Sequence, residues 1–332
     1  MSIEWSLVAD IGGTNARFSA IPVGEMESHY EFHHSVEEHP EFSGLVIELL
    51  KEITEATGWD TPPVNACFAV ACPADVEEIA FTNSHWRFAK TQLKQLLGCQ
   101  ELFVINDFEA VAHGITELND NDLVQVGGEQ SVAEKPIGII GAGTGLGVAG
   151  LVPLSDGYKV IDSEGGHADY PPTTDRMAAV VGVLREEYGR VSLERLLSGK
   201  GIFNIYRSLC TLNNVERSYE TPAEVAVAAQ EGSDELALQS LNMFCSGMGS
   251  AAGNLALTYG AKGGIYIAGG VVPRFIDFFN KSDFLHKFEE KGRFVSYLKP
   301  IPIYIVVREN LGLLGAAKKT ETNLRSNRCK KC

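Results

Sequence analysis

No run of apolar residues in this chain approaches the roughly 20 that a membrane span needs, and Met1 to Ala9 carries Glu4 where a leader would carry basic residues. Neither a membrane span nor a signal peptide is therefore expected. The G-x-x-x-x-G-K-[ST] pattern is absent, which removes P-loop nucleotide binding together with its defining lysine. Positive charge is scarce: 28 Lys and Arg stand against 43 Asp and Glu, for a net charge of −15. A field of that sign repels nucleic acid and anionic membrane surfaces, so neither is expected as a partner. Net charge constrains one pocket much less, and a local basic patch or a bound cation still allows a small phosphate ligand. The seven cysteines, at 67, 72, 99, 210, 245, 329 and 332, are odd in number and scattered, which does not make a disulfide framework in a chain this long. The cytoplasm is the expected compartment. Cys329 and Cys332 have C-x-x-C spacing, but with no second pair nearby they support neither structural zinc nor thioredoxin chemistry.

What is present describes a globular protein, with 45% hydrophobic and 21% charged residues among 332, a length that suggests about two domains. Trp5 to Ile11 is an apolar segment that runs into Gly12, Gly13, Thr14 and Asn15, after which Ala16, Phe18 and Ala20 alternate with polar residues. That pattern reads as strand, glycine turn, strand. Glu41 to Gly58 carries the 3.6-residue apolar stripe of a half-buried helix, Ala66 to Ala71 and Leu102 to Ile105 read as buried strands, and Gln92 to Leu97 as a helix between them. The theme returns at Ile137 to Ile140, a glycine cluster and Val148 to Val152. Helices are expected at 174–188, 192–197, 221–230 and 234–258, and strands at Ile265 to Ala268 and Ile303 to Val307. The chain thus reads as α/β: a small lobe of residues 1–117 with a returning helix in 307–320, a large lobe of 118–306, and a disordered tail at 321–332.

The acidic residue, paired glycines and hydroxyl of Asp10-Ile-Gly-Gly-Thr14 are the pieces of a phosphate cradle. Glycines admit backbone N–H groups to phosphate oxygens, Thr14 can donate a hydrogen bond, and Asp10 can hold hydrated magnesium. A plain hairpin turn is the alternative reading of this segment taken alone. Gly141 to Gly147 is a second such turn. Gly145 to Gly150 satisfies G-x-G-x-x-G but overlaps a strand and opens no helix, so the dinucleotide reading lacks its context. Asn106 and Asp107 stand at a strand exit, where an Asn-Asp pair is either a turn former or a ligand-facing pair. Glu164 and His167 flank two glycines. No cysteine cluster follows His167, so zinc is not expected there. Glu194, in a short helix at 191–199, would by itself read as a solvated surface residue.

Asp10-Ile-Gly-Gly-Thr14, Gly143-Thr-Gly145 and Gly264 to Gly270 resemble, in order, the first phosphate, second phosphate and adenosine motifs of the sugar kinase, heat-shock protein and actin superfamily. Asn106-Asp107-Phe108, Glu164-Gly-Gly-His167 and Leu193 to Gly199 are similar to the bacterial-type glucokinase family, over about residues 5 to 318. The resemblance implies a two-lobed actin-like ATPase (ribonuclease H-like) fold with a central cleft, and ATP-dependent phosphorylation of D-glucose at its 6-hydroxyl with Mg2+ as cofactor. It further implies that Asp107 is the general base and that Asn106, Asp107, Glu164, His167 and Glu194 bind the sugar. Ala9, Asp10, Ile11, Gly12, Gly13, Thr14, Gly143, Thr144, Gly145, Gly269 and Gly270 would hold the nucleotide, and Asp10 would reach magnesium through water. A homodimer is expected by the same resemblance. Kinases for other hexoses, and nucleotide switches of the actin or chaperone kind, are the alternative readings.

Overall fold

The computed structural model describes residues 3–27, 30–81 and 84–329, with side chains as far as residue 322. It divides into two compact units, Met1–Leu118 with Arg308–Cys332, and Asn119–Val307.

In the first unit, β1 (Trp5–Ile11), β2 (Asn15–Pro22) and β3 (Tyr30–Ser35) form an antiparallel meander. Helix α1 (Phe42–Thr57) then crosses to β4 (Asn65–Val70), which lies parallel to β1. A small hairpin of β5 (Glu78–Ala80) and β6 (Arg87–Ala89) precedes α2 (Lys90–Leu97), and β7 (Glu101–Asn106) pairs parallel with β4 before α3 (Asp107–Ile115) begins. The sheet order is β3-β2-β1-β4-β7. Strand periodicity sorts the core: Trp5, Leu7, Ala9 and Ile11 pack with Phe42, Leu45 and Leu49 of α1. Val8, Cys67 and Ala69 pack instead with Ala110 of α3 and with Leu313, Ala316 and Ala317 of the C-terminal helix, Leu311–Cys329.

The second unit contains β8 (Leu123–Gly127), β9 (Ile137–Ala142), β10 (Leu146–Leu154) and β11 (Gly157–Ser163). There follow α4 (Asp175–Tyr188), α5 (Gly199–Asn213), α6 (Pro222–Glu231), α7 (Glu235–Tyr259), β12 (Gly264–Ala268), three short helices, α8 (Ile276–Lys281), α9 (Phe284–Glu289) and α10 (Val295–Leu298), and β13 (Ile303–Val306). The sheet order is β11-β10-β9-β12-β13-β8. Its first five strands repeat the first unit's plan, an antiparallel meander joined to two parallel strands. The 25-residue α7 carries Leu241, Phe244, Cys245 and Met248 through the middle of this core. Caps fix the helix starts where the sequence allows it, as in the Thr221–Glu224 capping box with Pro222 at the first position of α6.

Several elements differ from the sequence reading. Helix α5 was not anticipated, because Gly199 and Gly201 in its first turn conceal its start, and the expected helix over 192–197 is only a 3-10 turn at Leu193–Arg195. The edge strands β3 and β11 were missed because their exposed faces carry polar residues among the apolar ones. The tail expected to be disordered from residue 321 instead continues the C-terminal helix to Cys329. No Gly or Pro interrupts 316–329, and a helix already nucleated against a core propagates at little further cost. Cys332 lies outside the described residues, as does the side chain of Cys329.

Candidate active site

The register across β1, β4 and β7 sets Ile11, Val70 and Asn106 in one row at the carboxyl ends of three parallel strands. This is the end of an α/β sheet at which ligands are met. One side of the row is the first glycine turn. Gly12 N–H donates to the Asn15 carbonyl at 3.0 Å, and Val36 N–H donates to the Thr14 carbonyl at 2.9 Å, so the turn is fastened to both β2 and the end of β3. A Cβ on Gly12 would meet only the Asn15 oxygen, at an ordinary 3.5 Å. Packing does not demand glycine here; close approach of a ligand to the backbone would.

Asp10 sits opposite Arg17 in the β1–β2 pairing. Burial pushes its carboxyl above the usual range, with the Arg17 charge acting in the other direction. Gly312, in the first turn of the C-terminal helix, is its neighbour, and a Cβ there would stand 3.0 Å from Asp10 Oδ2. A buried carboxylate whose ionised form is incompletely compensated suits a hydrated cation. Among the described residues, no three His, Cys, Asp or Glu side chains cluster to hold a metal by themselves. A magnesium ion that arrives on nucleotide phosphates needs only one or two carboxylates, and Asp10 fits that requirement.

At the other side of the row the chain passes from strand to helix with no intervening loop. The Asn106 side chain caps α3, its Oδ1 accepting from Phe108 N–H at 2.8 Å and from Glu109 N–H at 3.4 Å. Its carbonyl is therefore engaged in the cap, and its amide N–H groups are what it can offer a hydroxyl. Asp107 is the first residue of α3, where the helix dipole favours a negative charge. Cys72, just beyond β4, is close enough that burial, together with the Asp107 charge, pushes its thiol up. Glu109 is turned toward the C-terminal helix and accepts from Lys319 Nζ at 3.0 Å.

In the second unit the glycine turn between β9 and β10 is stitched to the segment that precedes α5. Gly143 N–H donates to the Gly145 carbonyl, Gly199 N–H to the Gly143 carbonyl, both at 2.9 Å, and Leu146 N–H to Glu194 Oε2 at 3.0 Å. Val271 N–H closes on the Ala142 carbonyl at 3.2 Å. Gly269, at φ +84°, lies so near that carbonyl that a side chain is excluded. The turn at 143–145 and Gly269-Gly270 thus share one end of the sheet, as the paired β9 and β12 run parallel. The G-x-G-x-x-G match at Gly145 to Gly150 enters β10, so the dinucleotide context is absent.

Glu164 and His167 bracket a 3-10 turn seated on the same strand. Their side chains are exposed, with His167 Nε2 3.8 Å from Glu164 Oε2. The two glycines between them serve packing: a Cβ at Gly166 would overlap the Leu146 carbonyl at 1.9 Å, and one at Gly165 would meet Val148 at 2.9 Å. Leu146 therefore receives Glu194 on its N–H and the Glu164–His167 turn on its carbonyl. The structure brings these three side chains to one stretch of β10, and brings Asp10, Asn106 and Asp107 to one edge of the other sheet. Sequence reasoning missed Gly312 beside Asp10, for which the two glycines of Gly312-Leu-Leu-Gly315 inside a helical stretch were the available signal.

Residues 7–323 match the family model described as Glucokinase. The glucokinase of Tolumonas auensis is 42% identical over 313 residues, covering 94% of this chain and 96% of that protein. Among solved structures, glucokinase from an Antarctic psychrotroph superposes with a TM-score of 0.84 at 34% identity, over 96% of this chain and 99% of that one. A ROK family glucokinase from Streptomyces griseus, solved in complex with glucose and AMPPNP, shares the fold at a TM-score of 0.61 and 19% identity, over 95% and 98% of the two chains. The two mixed α/β sheets, each opening on a glycine turn, and these matches together put the chain among sugar kinases of the actin-like fold. The chain belongs to the glucokinase family, and its reaction is the phosphorylation of glucose.

Proposed function

We propose that the enzyme transfers the γ-phosphoryl group of ATP to the 6-hydroxyl of D-glucose with Asp107 as general base. The observation that carries this reading is the row of Ile11, Val70 and Asn106, which puts Asp107 at the same sheet end as the first glycine turn. Asp107 accepts the hydroxyl proton as the sugar oxygen attacks phosphorus, and ADP departs. Asn106 donates its amide to a neighbouring hydroxyl, and Glu164, His167 and Glu194 hold the remaining ones. Glu194 spends Oε2 on Leu146 N–H, which fixes its carboxylate and leaves Oε1 to accept from the sugar. Ala9 to Thr14, Gly143 to Gly145, and Gly269-Gly270 hold the nucleotide. When bound, magnesium supplies charge neutralisation at the β- and γ-phosphates, and Asp10 is the residue that would hold it through water. A homodimer remains part of this proposal on the family resemblance; sedimentation at monomer mass would overturn it.

The test is Asp107→Ala. General-base catalysis contributes about 10² to 10⁴ in rate, so kcat for glucose 6-phosphate formation is expected to fall at least about 10²-fold. Glucose affinity, measured by calorimetry, should fall much less. A folded variant that retains more than about a tenth of wild-type kcat overturns the assignment.

A further inference from the structure

We propose that Arg190 is a positioning residue that sets the glucose-binding orientation of His167; this rests on the reading of His167 as a sugar ligand. Arg190 follows Gly189, which closes α4 at a positive φ of +70°. From there its guanidinium reaches back across the chain with two prongs. Nε donates to Asp169 Oδ1 at 2.6 Å and Nη2 donates to the His167 carbonyl at 2.5 Å. The fork thus grips the backbone of His167 and the side chain two residues beyond it.

The gripped segment is the one that joins the two sugar-binding turns. Leu193 N–H donates to the Ala168 carbonyl at 2.8 Å, Tyr170 N–H donates to the Val191 carbonyl at 3.0 Å, and Asp169 bridges Ser192 in antiparallel fashion. Residues 168–170 and 191–193 therefore form a short two-stranded patch, with His167 leaving one strand and Glu194 the other. Pairing between the two strands ends at Ala168; the His167 and Ala168 N–H groups are held inside the 3-10 turn by the Glu164 and Gly165 carbonyls at 2.9 and 3.1 Å, and the His167 carbonyl is bound by Arg190. The Arg190 fork extends the restraint by one residue and aims the imidazole.

Arg190 and Asp169 are 60% and 78% exposed at the side chain, so the pair contributes little to global stability. Its effect is local geometry. A lysine keeps the charge but, as a single flexible ammonium, cannot reproduce a planar two-point grip.

The experiment measures glucose Kd by calorimetry, with kcat and KM alongside, for the full-length wild type, Arg190→Ala, Arg190→Lys, His167→Ala and the Arg190→Ala/His167→Ala double variant. Both Arg190 variants are expected to raise glucose Kd about 5- to 20-fold while kcat changes less than about 3-fold. In the His167→Ala background, Arg190→Ala should add less than about a 2-fold change, because the group it aims has been removed. Should His167→Ala weaken glucose while both Arg190 variants bind normally, the positioning role is wrong and the sugar reading stands. An unchanged Kd in His167→Ala removes the sugar reading and the proposal with it. Full additivity in the double variant shows that Arg190 acts elsewhere, and also overturns the proposal.

Discussion

Leu146 has no polar side chain, yet its peptide groups organise the proposed sugar-binding turns. Its N–H is taken by Glu194, and the Glu164–His167 turn rests on its carbonyl. Gly166→Ala must push that turn off the strand, since its Cβ has nowhere to go within 1.9 Å of an oxygen. We expect glucose KM to rise at least about 10-fold, a smaller change in ATP KM, and a stability loss of about 1 to 3 kcal/mol in urea unfolding. Gly12→Ala is the contrasting case, because the added Cβ meets the Asn15 oxygen at an ordinary distance. Its stability should stay within about 1 kcal/mol of wild type, while nucleotide affinity in calorimetry falls. Unchanged nucleotide affinity would remove Gly12 from the phosphate cradle. The motif residues Asp107, Glu164, His167 and Glu194 were singled out by resemblance to a family's motifs. Their supports were not: Glu194 reaches a peptide 48 residues away, and Arg190 belongs to no motif. The glycines at 165 and 166 were legible as glycines, but their reason, contact with β10, belongs to tertiary structure.

Among the elements, the strands with a buried apolar face were legible and the exposed edge strands were not. β1, β4 and β9 are almost wholly buried and stand out as continuous apolar runs. β11 is exposed along nearly its whole length, and α5 begins on glycines, so neither announces itself. The pairing of α3 with the C-terminal helix is likewise a long-range fact. There Gly315 approaches so near the Ala110 carbonyl that a side chain is excluded, and Lys319 and Lys318 reach Glu109 and Glu117 at 3.0 and 2.8 Å. Burial would push the Glu109 carboxyl up, but the His113 imidazole 3.6 Å away and the hydrogen bond and charge of Lys319 outweigh that and hold it below the ordinary 4.5. A folded-state value below the unfolded one means stability that is present above about pH 4.5 and lost as pH falls through the lowered value. Glu109→Gln should therefore cost about 1 to 2 kcal/mol at pH 7, and that difference from wild type should shrink toward zero as pH falls through the lowered value. Equal unfolding midpoints for the two proteins at pH 7 would contradict it.

On the scale of the whole molecule, two sheets of matching plan account for the repeated strand, glycine turn and strand in the sequence. The order of the motifs was readable for that reason. A returning helix over 307–320 was expected for the first unit, but not the face it covers: Leu313, Ala316 and Ala317 lie on Val8, Cys67 and Ala69. A chain truncated after Val307 leaves much of that face open. It should lose the cooperative unfolding of the first unit and expose apolar surface that binds a hydrophobic dye, while hydrogen exchange in α7 remains slow. Native-like protection of β1 and β4 in the truncated chain would show that the C-terminal helix is dispensable for that core.

That arrangement has a consequence in time. A ribosome delivers β1, β4 and β7 first and the helix that seals them last, after all of Asn119–Val307. At about 5 to 20 residues per second the wait is on the order of 10 to 40 s, far longer than collapse or helix formation takes. During translation the nascent chain therefore carries one apolar sheet face that α3 covers only in part, while the inserted unit can fold to completion. The period of greatest vulnerability to aggregation, and of greatest use for a chaperone, is built into the order of the gene and ends only when the final helix leaves the exit tunnel.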